Sequence, residues 1–151
     1  MDRYPVPNED SPAGILDSRA EALLIDALIV ALVCGILGYG GGTIILGSSL
    51  GGLGGLILGL QFVAPVVLFV YQILFEGYYG QTIGKRARGI VVVKDDGSRC
   101  TWVAATLRNL LRVVDILPLF YLIGIGTAYL SSKHQRVGDL AAQTIVVSTD
   151  E

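Results

Sequence analysis

The chain has 151 residues, a formal net charge of −2, 16% charged side chains and a mean hydropathy of +0.63. Soluble domains carry roughly 25% charged residues, so the composition argues against an ordinary water-soluble fold. The slightly negative charge and the lack of an aromatic–basic RNA-binding motif argue against a nucleic-acid partner, and the length suits one compact unit.

Residues 1–17 are polar, and the first 18 residues hold three prolines and four acids. This stretch reads as a disordered tail, and its composition does not match a cleaved signal peptide. Ser18-Arg19-Ala20-Glu21 follows, a Ser with a Glu three residues later just before an apolar run, which predicts a helix start. From Ala22 to Phe75 the chain then runs for 54 residues with one formally charged side chain, Asp26. The first helix is expected to cross the bilayer and to stop at Gly40-Gly41-Gly42, since about 20 apolar residues span the hydrocarbon.

After it, Gly47, Gly51, Gly55 and Gly59 recur every fourth residue. If helical, they form a groove for a neighbouring helix or for the interface of a homo-oligomer. If not, they belong to a flexible loop. A second crossing is placed at 56–75, with Pro65 as the expected kink.

Residues 77–100 differ in kind. Gly89-Ile-Val-Val-Val-Lys94 reads as a β-branched strand closed by a turn at Asp95-Asp96-Gly97, and Thr144-Ile-Val-Val-Ser-Thr149 as a second. The two are expected to pair in a small sheet outside the membrane. Between them Thr101-Trp102 opens a helix with Arg108, Arg112 and Asp115 on one face, the pattern of an interfacial amphipathic helix. Pro118 breaks it, and Leu119 to Leu130 is apolar but short for a span.

Seven of the eleven basic residues, Lys85, Arg86, Arg88, Lys94, Arg99, Arg108 and Arg112, lie between the second crossing and this third segment. The positive-inside tendency makes that region and the N-terminus cytoplasmic. A third full crossing would carry Lys133, Arg136 and the last strand outside. A re-entrant segment around Pro118 would keep them inside, and the residues leave both topologies open. The fold class is therefore an all-α integral membrane protein of the cell membrane. It has two clear transmembrane helices, a third proline-broken transmembrane or re-entrant segment, and a minor cytoplasmic β element.

The sequence blocks themselves resemble a known family. Arg19 with Asp26, Gln81-Thr82-Ile83-Gly84-Lys85-Arg86 ahead of the first strand, and Arg136-Val-Gly-Asp139-Leu-Ala-Ala-Gln-Thr144 before the second are similar to the RDD family of small membrane proteins. That family is named for one arginine and two aspartates, matched here by Arg19, Asp26 and Asp139. The resemblance covers about residues 15–149, so the chain divides into the tail, 1–17, and an RDD-like membrane domain, 18–149. It departs at Gln143, where the family usually has glycine, and in a longer glycine-rich insert. The resemblance implies a membrane protein with a transport role, cation/proton exchange having been proposed for some members.

The candidate site is accordingly the set Arg19, Asp26 and Asp139. Arg19 and Asp26 project from one helix face, and a buried carboxylate beside a guanidinium can titrate or hold a small cation. The alternative is structural, with Asp26 bonded to another segment, Arg108, Arg112 and a loop backbone being candidate donors and Asp115 sharing their face. Asp139 is expected to tie the C-terminal segment to Arg19 or Arg86. Lys85, Arg86 and Arg88 read as contacts to anionic lipid headgroups. Gly80-Gln-Thr-Ile-Gly84-Lys85-Arg86 is one residue short of a phosphate loop and lacks its hydroxyl. A single histidine, His134, supplies no metal cluster. Ser48 and Ser49 have no basic partner, so no enzyme, metal or cofactor is expected. Cys34, in the apolar run, and Cys100, in a polar loop, read as free thiols. Two functions stand open: small-cation or proton exchange by a homo-oligomer through Asp26, and a non-transporting membrane scaffold or regulatory module.

Overall fold

In the computed structural model, residues 12–115 and 137–149 are described. The chain forms two compact units, one of residues 24–71 and one of residues 1–23 with 72–151.

The first unit is a helical hairpin. Helix α1 runs Pro12–Leu46, and a turn at Gly47, with φ +62°, leads to α2, Ser49–Leu58. Ser48 caps α2 by accepting from the Gly51 N–H at 3.1 Å. One π-helical turn, Gly59–Val63, joins α2 to α3, Ala64–Tyr79. The Ala64 N–H bonds back five residues to the Gly59 carbonyl. Widening the helix just before Pro65 accommodates a residue that lacks an N–H and crowds the preceding turn, so the expected kink takes the form of a π turn.

Two boundaries correct the sequence reading. Ser18 and Glu21 lie inside α1 and not at its start, and Gly40-Gly41-Gly42 does not end it. Glycine weakens a helix in water by exposing the backbone to competing bonds, but an apolar surrounding offers none. The second apolar helix likewise begins at Ser49, not near residue 56. The spans Asp17–Leu46, 30 residues, and Ser49–Tyr79, 31 residues, are each long and apolar enough to cross a membrane. At 1.5 Å per residue each rises about 45 Å, more than the ~30 Å hydrocarbon layer. Their flanks carry exposed leucines and isoleucines, Leu28 at 70% and Ile44 at 84% among them.

Gly47 makes the turn, but Gly51, Gly55 and Gly59 of the ladder are helical, and α1 of the same chain fills their groove. A Cβ on Gly55 would stand 2.1 Å from the Gly38 carbonyl oxygen, and one on Gly42 would stand 2.1 Å from that of Gly51. Backbone meets backbone at these positions, which only glycine allows. This intrachain contact is the neighbouring-helix reading of the ladder. Val30, Cys34 and Ala64, with Leu68 and Tyr71 against them, continue the packing.

In the second unit, α4 (Ile83–Ala87) precedes β1 (Ile90–Lys94), α5 (Trp102–Asp115), α6 (Val137–Ala141) and β2 (Thr144–Ser148). The two strands pair antiparallel, with Val92 opposite Val146, as their β-branched runs predict. Ile90, Val92 and Val146 pack with Ala22, Ala104, Ala105 and Ala142, while Val91, Val93, Ile145 and Val147 form a second cluster. Both faces of the sheet are therefore buried. Gly97, at φ +77°, makes the turn after β1. The Asp96 carboxylate accepts from the Ser98 N–H at 2.9 Å, and bonding to Ser98 lowers its pKa. Asp139 lies in the short helix α6. Residues 1–11 of the expected tail lie outside the described residues, as do Pro118, the segment Leu119 to Leu130, Lys133, His134 and Arg136.

Candidate functional site

The second unit encloses charged side chains brought together from α1, α3, α4, α5 and α6. Arg19 is 8% exposed, Glu76 0%, Lys85 8% and Asp139 4%. Each carboxylate uses both oxygens. Asp139 Oδ2 accepts from Arg19 Nη1 at 2.8 Å and its Oδ1 pairs with Arg108 Nη2 at 3.0 Å. Glu76 Oε1 accepts from Lys85 Nζ at 2.5 Å, and its Oε2 from Asn109 Nδ2 at 3.2 Å, with Arg108 Nε at 3.7 Å. The order is Arg19, Asp139, Arg108, Glu76, Lys85, a chain of alternating sign with Arg108 bridging the two acids.

Local structure sets each member. Thr82 caps α4 by accepting from the Lys85 N–H at 3.2 Å, which fixes the turn carrying Lys85. Thr101 caps α5 through the Ala104 N–H at 3.3 Å, and seven residues on Arg108 reaches Thr144 Oγ1 at 3.4 Å. Asn109 also donates to the Ala105 carbonyl at 2.9 Å, which holds its amide toward Glu76. Burial opposes the Arg108 charge, but Asp139 and Glu76 outweigh it and raise its pKa above the ordinary arginine value. Arg108 thus stays cationic wherever the fold persists. Cys100, buried nearby, has its thiol pKa pushed up, chiefly by desolvation, so it is a weak nucleophile at neutral pH.

Two residues of the expected set meet here. Asp139 ties to Arg19, as anticipated. Asp26 lies in the other unit, is 1% exposed, and accepts from the Tyr71 hydroxyl at 2.9 Å. Arg108, offered as an Asp26 donor, is committed to Asp139 and Glu76. The side chains of Arg112 and Asp115 lie outside the described residues. Lys85 corrects a prediction: it is buried on Glu76 and does not face lipid headgroups, because an ammonium beside a fully buried carboxylate relieves the cost of both. Arg86 is exposed, and Arg88 pairs with Glu21 at the surface. Cys34 and Cys100 are free thiols, as read. Among the described residues no cluster of His, Cys, Asp or Glu could hold a metal ion.

Glu76, Asn109, Thr144 and Tyr71 were not anticipated as site residues. Glu76 carried a signal, being the acid at which the 54-residue apolar run ends. Asn109 and Tyr71 carried none, since a single polar group on a helix does not name its partner.

Two long apolar helices turned on a glycine ladder, joined to a sheet-bearing unit that closes over buried charges, define a small helical membrane protein. The RDD family model matches residues 13–143, and the chain belongs to the RDD family. No curated protein and no solved structure matches the chain.

Proposed function

We propose that this chain is a non-transporting membrane module in which the family arginine and the second family aspartate form a folding clasp. The observation that carries this reading is the alternating chain from Arg19 to Lys85, in which each carboxylate satisfies two neighbours. A group held by two short charge-assisted bonds is poorly suited to release and rebind an ion, and well suited to fix the elements that carry it. The clasp holds α5, α6 and the start of β2 against the first turns of α1, leaving the sheet-bearing unit as the scaffold or regulatory surface. The proposal assigns the protein no catalytic step. It places the protein in the cell membrane with the N-terminus and the basic second unit on the cytoplasmic side, from the positive-inside bias.

A second reading is favoured by one specific contact. Asp26 is a buried carboxylate within a candidate span, bonded to a hydroxyl on the facing helix, and such a pair can take up and release a proton or bind a small cation. With two described spans, a path would have to be completed by further segments or by a homo-oligomer using a face other than the glycine ladder.

Cation-driven proton flux through liposomes reconstituted with the full chain separates the two. The clasp reading predicts no flux above protein-free vesicles under sodium, potassium or lithium gradients. Flux that Asp26→Asn abolishes in a protein that still folds would overturn it.

A further inference from the structure

Helix α5 is amphipathic in the reverse sense from a soluble surface helix. It turns Ala104, Ala105, Asn109 and the Arg108 side chain inward, while Trp102 at 47%, Val103 at 77% and Leu110 at 53% face outward. A helix exposed to water does the opposite. The outward face meets the end of α3 where Trp102 packs on Gly77. Tyr78 and Tyr79 are exposed at the end of the 31-residue span, their rings edge to face with centroids 4.6 Å apart. Trp102 is locked to that same level, since a Cβ on Gly77 would come within 2.6 Å of its ring. Next along the chain, α4 adds exposed Ile83 and exposed Arg86.

We propose that this face, Tyr78, Tyr79, Ile83, Arg86, Trp102 and Val103, is a docking surface for the headgroup layer of an anionic bilayer, with α5 lying in the membrane interface. Three observations favour lipid over a protein partner. The face begins where a bilayer-length helix leaves the hydrocarbon. Its aromatic residues are Tyr and Trp, whose amphipathic rings settle at that depth. The exposed cation Arg86, on the helix that follows α3, suits anionic headgroups, each such charge adding about 1 kcal/mol, or roughly fivefold in lipid affinity. The sequence pointed to the same partner through Lys85, Arg86 and Arg88, but the structure moves the contact to aromatic side chains and to Arg86. The inference rests on the bilayer placement of the two spans and is independent of whether the protein transports.

Trp102 is the chain's single tryptophan, so the wild-type protein carries its own probe. The full chain is reconstituted into phosphatidylcholine vesicles containing phosphatidylglycerol, and flotation with the vesicles is scored first. Nitroxides at the headgroup or near the top of the acyl chain should then quench Trp102 more than nitroxides near the chain end, and aqueous acrylamide should quench weakly. Val103→Asp should reverse that order of access, and Arg86→Glu should shrink the extra shielding that phosphatidylglycerol provides. Failure to float would overturn the bilayer placement and the inference together. In floated protein, free access of acrylamide, strongest quenching by deep nitroxides, or an emission that neither quencher reaches would each overturn the inference alone.

Discussion

Replacing Glu76 by Gln tests the clasp at its most buried member. The substitution keeps the volume and leaves an amide oxygen that still accepts from Asn109 or Lys85, but it removes the negative charge between Lys85 at 2.5 Å and Arg108 Nε at 3.7 Å. Removing one partner of a buried pair costs about 3–5 kcal/mol, because the remaining charge is left uncompensated. Arg108 keeps Asp139 at 3.0 Å, so the burden falls mainly on Lys85 and the lower end applies, about 3 kcal/mol. For a chain of this size that corresponds to a fall in Tm of roughly 10 °C. Thermal unfolding in detergent micelles, followed by circular dichroism and by alkylation of the buried Cys100, gives the measurement. Lys85→Met added to Glu76→Gln should recover more than half of the loss, since an apolar chain in that place needs no counter-charge. A Glu76→Gln protein that melts within about 2 °C of wild type, or a double variant no better than the single, would refute the reasoning.

Three further outcomes follow from the geometry. Gln143 sits at φ +50°, and a non-glycine residue there costs about 1 kcal/mol. Gln143→Gly should therefore raise Tm by a few degrees, and Gln143→Ala should not. Gly55→Ala should destabilise by about 2 kcal/mol or more through overpacking against the Gly38 carbonyl. Gly54→Ala, where a Cβ meets open space, should be neutral or slightly stabilising in the same melt. Cys100 has a raised pKa in the fold, so stability is unaffected below the ordinary thiol range and falls as pH rises through the folded value. Its alkylation should be slow at neutral pH, rise only at more alkaline pH than for a free thiol, and become rapid on unfolding.

The two apolar helices, the β-branched strands and the Arg19–Asp139 tie were legible because each has a local signature: length without charge, period of branching, or a family motif. Helix boundaries were less so. Three consecutive glycines signal a stop in water, and the glycines by themselves do not state that their surrounding is apolar and offers no competing bonds. The ladder itself was visible at Gly51 and Gly55, but not whether its partner would be this chain or another. Lys85 was misread for a related reason. A basic residue beside Arg86 and Arg88 looks like part of a surface cluster, and only the fold brings Glu76, nine residues earlier and buried, to its ammonium. Gln143 shows the reverse. The departure from the family's glycine was legible, and the structure supplies its meaning as a left-handed turn position before β2, where the Gln143 carbonyl still accepts from the Asp95 N–H at 3.0 Å.

The central claim is that Arg19 and Asp139 act on each other as a clasp. A double-mutant cycle with Arg19→Gln, Asp139→Asn and the pair, read by thermal unfolding of the full chain in micelles, tests it most directly. The account predicts that each single variant loses stability and that the two are coupled by about 1–3 kcal/mol. Additive losses with coupling near zero would contradict it.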